Sequence, residues 1–291
     1  MAGIDEEDFK EERVRSWEGL MREIQKLDEG KWMYRGQTSD WALESKFERT
    51  LNDFGIDLKD APKIERELIR EFQRHYDGVD RDLVIKNTLY CLALMQHHGA
   101  PTRLLDCTYS PYVAAYFALE SIPKKVRSDG KKPASVIWCF NQVWCDKTAI
   151  KTLKGKKKGL LKRRYEPDTS DKARNDDKNF KALYMPKRGD QKFAWPENPI
   201  MLNQRLIVQR GVFLCPGKVS ESFEANVKEL DGWHRKTSIL KLRLQFKDYV
   251  TERKKALQNL FFMNVDRATL FQGLDGFAQS LPLRLPYFHE R

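Results

Sequence analysis

An α+β fold is predicted by three features of the 291-residue chain. Apolar residues recur at three- and four-residue steps in the first part, between Glu11 and Glu120. The clearest two-residue alternation, Ile239 to Phe246, and the β-branched, aromatic run Ala134 to Phe140 both lie later. Hydrophobic residues make up 41% of the chain, enough for a real core, and no internal repeat is visible. The length suits one large domain or two small ones.

The first helix is expected over Glu11–Leu27, where Val14, Trp17, Leu20, Met21, Ile24 and Leu27 share a face, with Gly30 ending it. Lys31–Gln37 reads as a short strand entering a turn. Pro62 opens an amphipathic helix carrying Ile64, Leu68, Phe72 and Tyr76. A more apolar helix covers Leu83–His97 and stops at Gly99-Ala100-Pro101. Ser110 at the N-cap and Pro111 at the first helical position start the helix Pro111–Glu120. Lys124–Lys132 is a basic loop, and Ala134–Phe140 a buried strand. From Lys151 to Asp190 apolar residues thin out while Lys and Arg crowd together, which predicts a long mobile insertion. Asn203–Cys215 suggests strands paired around a tight turn at Arg210-Gly211. Ile239–Phe246 is a half-buried strand, and Lys254–Met263 and Arg267–Phe271 look helical.

The charge balance is strongly basic: 53 Lys and Arg against 42 Asp and Glu give +11. Such a surplus favours polyanionic partners, nucleic acid or phosphate-rich ligands. Mean hydropathy is −0.67, and no run nears the roughly 18 apolar residues of a membrane span. The acidic start, Met1 to Asp8, has no apolar core of a signal peptide, so a cytoplasmic location without membrane association is expected. The five cysteines lack C-x-x-C spacing and are expected to be buried, reduced thiols, with no metal site.

Three blocks are unusual for structural filler. In Tyr34-Arg35-Gly36-Gln37 an Arg ends a strand beside a Gly that lets backbone approach a ligand, a natural anion grip. His97 to Pro111 packs two His, Arg103, Asp106, Thr108 and Ser110 between two helices; adjacent His97 and His98 point to different faces and make no chelating pair. Arg103 and Asp106 could equally form an ion pair inside a turn. In Asn203–Phe213, polar Gln209 interrupts an apolar strand pattern, so it either satisfies buried backbone or faces a ligand.

Together these blocks resemble the FRG domain, named for its aromatic-Arg-Gly motif. The resemblance runs from about Trp17 to Ala278 through Tyr34–Gln37, Gln96–Gly99 with Pro101–Asp106 and Thr108, then Arg205, Gln209, Gly211 and Phe213, and finally Asn264-Val265, Thr269–Phe271 and Leu274–Gly276. The basic segment 151–190 has no counterpart in that pattern. FRG domains are similar in turn to the ADP-ribosyltransferase superfamily. That likeness implies a split β-sheet core with surrounding helices in one domain over 1–291: a helical part about 9–120, the basic insertion about 151–190 and a strand-rich part about 200–285. It also implies an NAD site in which Arg35 holds phosphate and ribose, with Tyr34, Gly36, Gln37, Arg103, Asp106, Thr108, Tyr109 and Ser110 around the dinucleotide. Thr108-Tyr109-Ser110-Pro111 before Ala114-Ala115-Tyr116-Phe117-Ala118 is similar to the superfamily's second motif. Its catalytic Glu is replaced here by Gln209, which can hydrogen-bond a ribose hydroxyl but carries no charge.

The function this implies is NAD-dependent ADP-ribosyl transfer, with Arg35, Gln209 and Thr108 as catalytic candidates, NAD as substrate and no metal. Stand-alone transferases of this kind resemble bacterial toxins of toxin–antitoxin and anti-phage systems, so a neutralising antitoxin is an expected partner. The basic cluster, Lys156, Lys157, Lys158, Arg163 and Arg164, makes nucleic acid, RNA above all, the favoured acceptor, with Trp195 available for stacking. Two alternatives stay open: a binding module for NAD, ADP-ribose or nucleic acid that lost the reaction, and an NAD hydrolase or nuclease using His97 or His98 as general acid/base. Asp106 is the nearest carboxylate able to take the place of the missing Glu.

Overall fold

The structure, a computed structural model, describes residues 8–27, 31–122, 134–165, 177–186, 190–199, 201 and 203–289, with 154–165 and 285–289 as backbone only. Gly30 and the loop Lys124–Lys132 lie outside them.

The chain opens with β1 (Glu11–Val14) and α1 (Trp17–Gln25), not with one long helix. Ser16, extended at φ −156°, accepts from Gly19 N at 3.1 Å and starts the helix there. β2 (Trp32–Gln37) follows, then α2 (Lys46–Asp53) and α3 (Ala61–His75). The helix expected over Leu83–His97 is two, α4 (Arg81–Lys86) and α5 (Thr88–His97), because Asn87 leaves helical backbone at φ −130° and caps α5 through Tyr90 N. β3 (Leu105–Thr108), α6 (Pro111–Leu119) and β4 (Ser135–Asn141) come next.

The segment expected to be an unstructured insertion begins inside α7 (Gln142–Tyr165) and ends beyond α8 (Asp177–Tyr184). Phe180, Leu183 and Tyr184 of α8 are buried in the main core, which is why that stretch is ordered despite its polar neighbours. β5 (Ala194–Glu197) precedes α9 (Gln204–Val208) and β6 (Gly211–Pro216). The expected strand pair over Asn203–Cys215 is therefore a helix and a strand. Asn203 caps α9 by accepting from Leu206 N at 2.9 Å, and Arg210 turns the chain at φ 48°. α10 (Phe223–Lys228), β7 (Ile239–Leu244), α11 (Tyr249–Phe262), α12 (Arg267–Leu270) and α13 (Leu274–His289) complete the order.

Among the described residues all strands join one sheet in the order β1-β7-β4-β2-β3-β6-β5, antiparallel except for β1 beside β7. Its centre is not uniform. β2 pairs with β4 through six residues, Trp32 to Gln37, but meets β3 only at Tyr34 opposite Thr108. The sheet is thus four strands and three strands held at one residue pair. One core packs α5 and α8 on β3, β6 and β5; a second packs α1, α6 and α11 on β4 and β7. β7 is covered on both sides rather than half-buried: Arg243 is 3% exposed and forms an ion pair with Asp40. The five cysteines are free and buried, and burial pushes the Cys91 and Cys107 thiols up to about 12. Among the described residues no helix is long and apolar enough to cross a membrane.

Candidate functional site

Beyond Tyr34 and Thr108 the central strands part, and a cleft of about 880 Å³ opens between them. That volume is within the range of small-molecule sites. Arg35, Gly36 and Gln37 stand on one lip; Cys107 and Asp106, which would have paired with them, stand on the other. Arg35 Nη1 spans the gap to the backbone oxygen of Asp106 at 2.8 Å. Arg35 makes no ion pair among the described residues, and its Nε is buried without a hydrogen-bond partner. Burial holds its guanidinium below the ordinary value, opposed by the Asp106 charge.

Gly36 has a different role from the one its motif suggested. A Cβ there would stand 1.9 Å from Ala114 O and 2.7 Å from Ala118 N. The glycine lets α6 lie directly on β2. Gln37 is buried, accepting from Trp138 Nε1 at 2.5 Å and donating to Ala42 O at 3.5 Å, so it anchors the strap that follows β2.

The Gln96–Asp106 block is a hydrogen-bonded frame. Gln96 Oε1 accepts from the Thr102 hydroxyl, and Gln96 Nε2 donates to Asp106 Oδ1 at 2.7 Å. Arg103 lies outside the cleft, which corrects its expected place around the dinucleotide. It is 1% exposed and binds Glu65 through both carboxylate oxygens. It also donates to Tyr184 O at 2.8 Å. A buried guanidinium needs a buried carboxylate, and Glu65 on α3 supplies it in place of Asp106. Ser110 is spent as the N-cap of α6, and neither it nor Tyr109 lines the cleft.

Thr108 and Gln209 do line it, but both are committed to backbone. Thr108 Oγ1 donates to Gln209 O at 2.6 Å and accepts from Ser110 N at 2.9 Å. Gln209 is the C-cap of α9, not a strand residue, and its Nε2 donates to Leu270 O at 3.1 Å. His97 and His98 are exposed and do not line the cleft. Trp195 is 1% exposed and donates to Asp146 Oδ1 at 2.7 Å, so it presents no stacking face. The side chains of Lys156, Lys157, Lys158, Arg163 and Arg164 lie outside the described residues, on the α7 segment.

The cleft also holds residues that were not among the expected site residues. Glu120, which ends α6, sits against Arg267 Nη1 at 2.9 Å. Burial raises its carboxyl, and the Arg267 and Arg205 charges oppose that. Arg205 and Arg267 lie over the Phe271 ring at 4.7 Å and 4.5 Å, and Phe117 meets the same ring edge-on at 6.0 Å. Arg49 and Trp41 also line the cleft. Glu120 was within reach of the sequence, since it closes the Ala-rich helix already singled out; Arg49 had no local signal. Chemically, the cleft offers guanidinium groups for phosphate, aromatic walls for a base and four acidic side chains, Asp40, Glu44, Asp106 and Glu120.

No curated protein and no solved structure matches the chain. Residues 30–127, the segment that carries Tyr34–Gln37 and the Gln96–Asp106 frame, match the sequence model of the FRG domain.

Proposed function

We propose that the cleft binds NAD and transfers its ADP-ribose to nucleic acid, RNA in preference to DNA or protein. The observation that carries this reading is the parting of the sheet at Tyr34 and Thr108, which leaves the Arg35 guanidinium in a cleft with no carboxylate partner among the described residues. In the reaction the bond between nicotinamide and ribose C1′ breaks, and nicotinamide leaves with the electron pair. An acceptor nucleophile then bonds to C1′ and gives up its proton. The transition state is cationic at the ribose, so the site gains from binding the diphosphate firmly and placing negative charge near C1′. Arg35 suits the diphosphate; Tyr34, Phe117 and Phe271 supply apolar walls. Glu120, held by Arg267, and Asp106, held by Gln96, are acidic groups that line the cleft with Gln209, whose amide nitrogen is already bonded to Leu270 O. The basic surplus of the chain supports a nucleic-acid acceptor, and the family likeness supports a toxin of a toxin–antitoxin or anti-phage system with a neutralising partner protein.

One observation favours a second reading. The residue at the expected position of the catalytic Glu is an uncharged Gln engaged with backbone, which suits a module that binds ADP-ribose without transferring it.

The test is incubation of the purified protein with radiolabelled NAD and three acceptor pools, total protein, RNA and single-stranded DNA, with Arg35→Ala as control. Label in RNA that disappears with Arg35→Ala supports transfer. Free nicotinamide without label means hydrolysis, and no NAD consumption means a binding module. Charge reversal of Lys156, Lys157 and Lys158 is expected to weaken RNA binding in a salt-dependent manner; unchanged binding removes the nucleic-acid part of the reading.

A further inference from the structure

Helix α2 brings one side chain to the cleft, Arg49. The helix is firmly placed. Ser45 caps it by accepting from Glu48 N at 3.1 Å, and Phe47 N donates to Thr102 O at 3.2 Å. Glu48 Oε2 accepts from Phe223 N at 2.9 Å, and Phe47 and Leu51 pack on Ala61. Arg49 Nη1 donates to Glu44 O at 2.8 Å, which orients the guanidinium without neutralising it. Like Arg35, Arg49 makes no ion pair among the described residues. Both line the cleft; burial above all holds the Arg35 guanidinium below its ordinary value, and the Arg49 charge lowers it further. Two like charges therefore share one cleft, one of them with a buried Nε that lacks a partner. Two of the nearby carboxylates are engaged elsewhere, Asp40 with Lys241 at 2.6 Å and with Arg243, and Asp106 with Gln96; Glu44, which also lines the cleft, forms no ion pair with either arginine among the described residues.

We infer that Arg35 and Arg49 together clamp one diphosphate group, that of a dinucleotide or of ADP-ribose. A guanidinium presents a planar fork that matches two oxygens of a phosphate, and two forks match the paired phosphates of a diphosphate better than a single carboxylate or orthophosphate. A bound anion also removes the repulsion between the arginines. The inference rests on the reading of this cleft as the NAD site and adds the residue that completes its phosphate end.

The test is calorimetric titration of the full chain with inorganic pyrophosphate, ADP-ribose and orthophosphate, for the wild type, Arg49→Gln and Arg49→Lys, each checked for an unchanged circular dichroism spectrum. Arg49→Gln is expected to bind pyrophosphate and ADP-ribose about tenfold or more weakly, the loss typical of a charge-assisted hydrogen bond. Arg49→Lys keeps the charge but loses the fork, and an intermediate loss is expected; it also serves if Arg49→Gln fails to fold. Equal binding by wild type and both variants overturns the clamp. So does a wild type that binds neither pyrophosphate nor ADP-ribose, or that binds orthophosphate as tightly as pyrophosphate. NAD turnover measured alongside separates the two ideas. Pyrophosphate binding that depends on Arg49, without turnover, leaves the clamp standing and removes the transfer reading; turnover with binding indifferent to Arg49 does the reverse.

Discussion

Arg35 bonds to the backbone oxygen of Asp106 at 2.8 Å, while the Asp106 carboxylate is held by Gln96 Nε2 at 2.7 Å. The arrangement ties the two diverging strands together without neutralising the arginine. Under the proposed reading it also gives the Gln96 amide a defined task, keeping a carboxylate away from the proposed anion site. Gln96→Leu should free Asp106 to pair with Arg35 and compete with the ligand. An ADP-ribose affinity lower by about tenfold is expected, since a carboxylate pairing with a partly buried guanidinium is worth on the order of 1–2 kcal/mol. The double variant Gln96→Leu/Asp106→Asn should recover most of it. Equal affinity in the single variant and wild type, by calorimetry, would refute this role.

Gly36 is a packing glycine. Its missing side chain leaves room for Ala114 O, 1.9 Å from where a Cβ would stand. Gly36→Ala must move α6 off β2 or bend the strand, at about 3 kcal/mol. A urea unfolding midpoint equal to that of the wild type would show that the helix does not lie so close.

Under the proposed transfer reading Gln209→Glu would supply a catalytic carboxylate, and the bonding of Gln209 argues against it. A carboxylate cannot donate to Leu270 O, and its charge would face that carbonyl oxygen in a position only 8% exposed. The variant is expected to lose about 1–3 kcal/mol of stability, the cost of a buried acceptor left unsatisfied, and to gain no turnover. If Gln209→Glu instead proves more active than the wild type and equally stable, the amide bond to Leu270 does not position this residue.

Glu48 makes stability depend on pH. Burial pushes its carboxyl from 4.5 up to about 7, with the Glu44 and Glu224 charges adding and the bond from Phe223 N opposing. The folded state therefore holds a proton that the unfolded chain releases at lower pH. The stability this proton contributes is fully present below pH 4.5 and is lost as pH rises through about 7. At about 1.4 kcal/mol per pH unit, the total is about 3 kcal/mol. Glu48→Gln keeps an acceptor for Phe223 N and should flatten that part of the curve, with a higher Tm than the wild type at pH 8. Parallel stability profiles for the two proteins between pH 5 and 8 would rule it out.

The elements legible along the chain are those whose signals act within one turn or one strand. Ser110 and Pro111 start α6, the β-branched run makes β4, and alternation makes β7. The same range of action explains where the fold departs from the periodicity. A cap at Ser16 or Asn87 can cut an apolar pattern that otherwise reads as one helix, and α8 is ordered by the core it enters rather than by its own composition. The motif residues Arg35, Asp106 and Gln209 are also visible in the sequence, and the cleft does gather them. Their partners are not. Arg103 finds Glu65 across 38 positions, and Glu120 finds Arg267 across 147. Neither pairing leaves a trace in local spacing, because a charge buried by tertiary packing takes whichever opposite charge that packing delivers. The cleft is of the same kind. Residue order made β2 legible, whereas β3 lies in a block that reads as a connection between two helices; only the assembled sheet decided that the two would meet at Tyr34 and Thr108 and then part, because twist and the packing of α6 on Gly36 belong to the assembly and not to either strand.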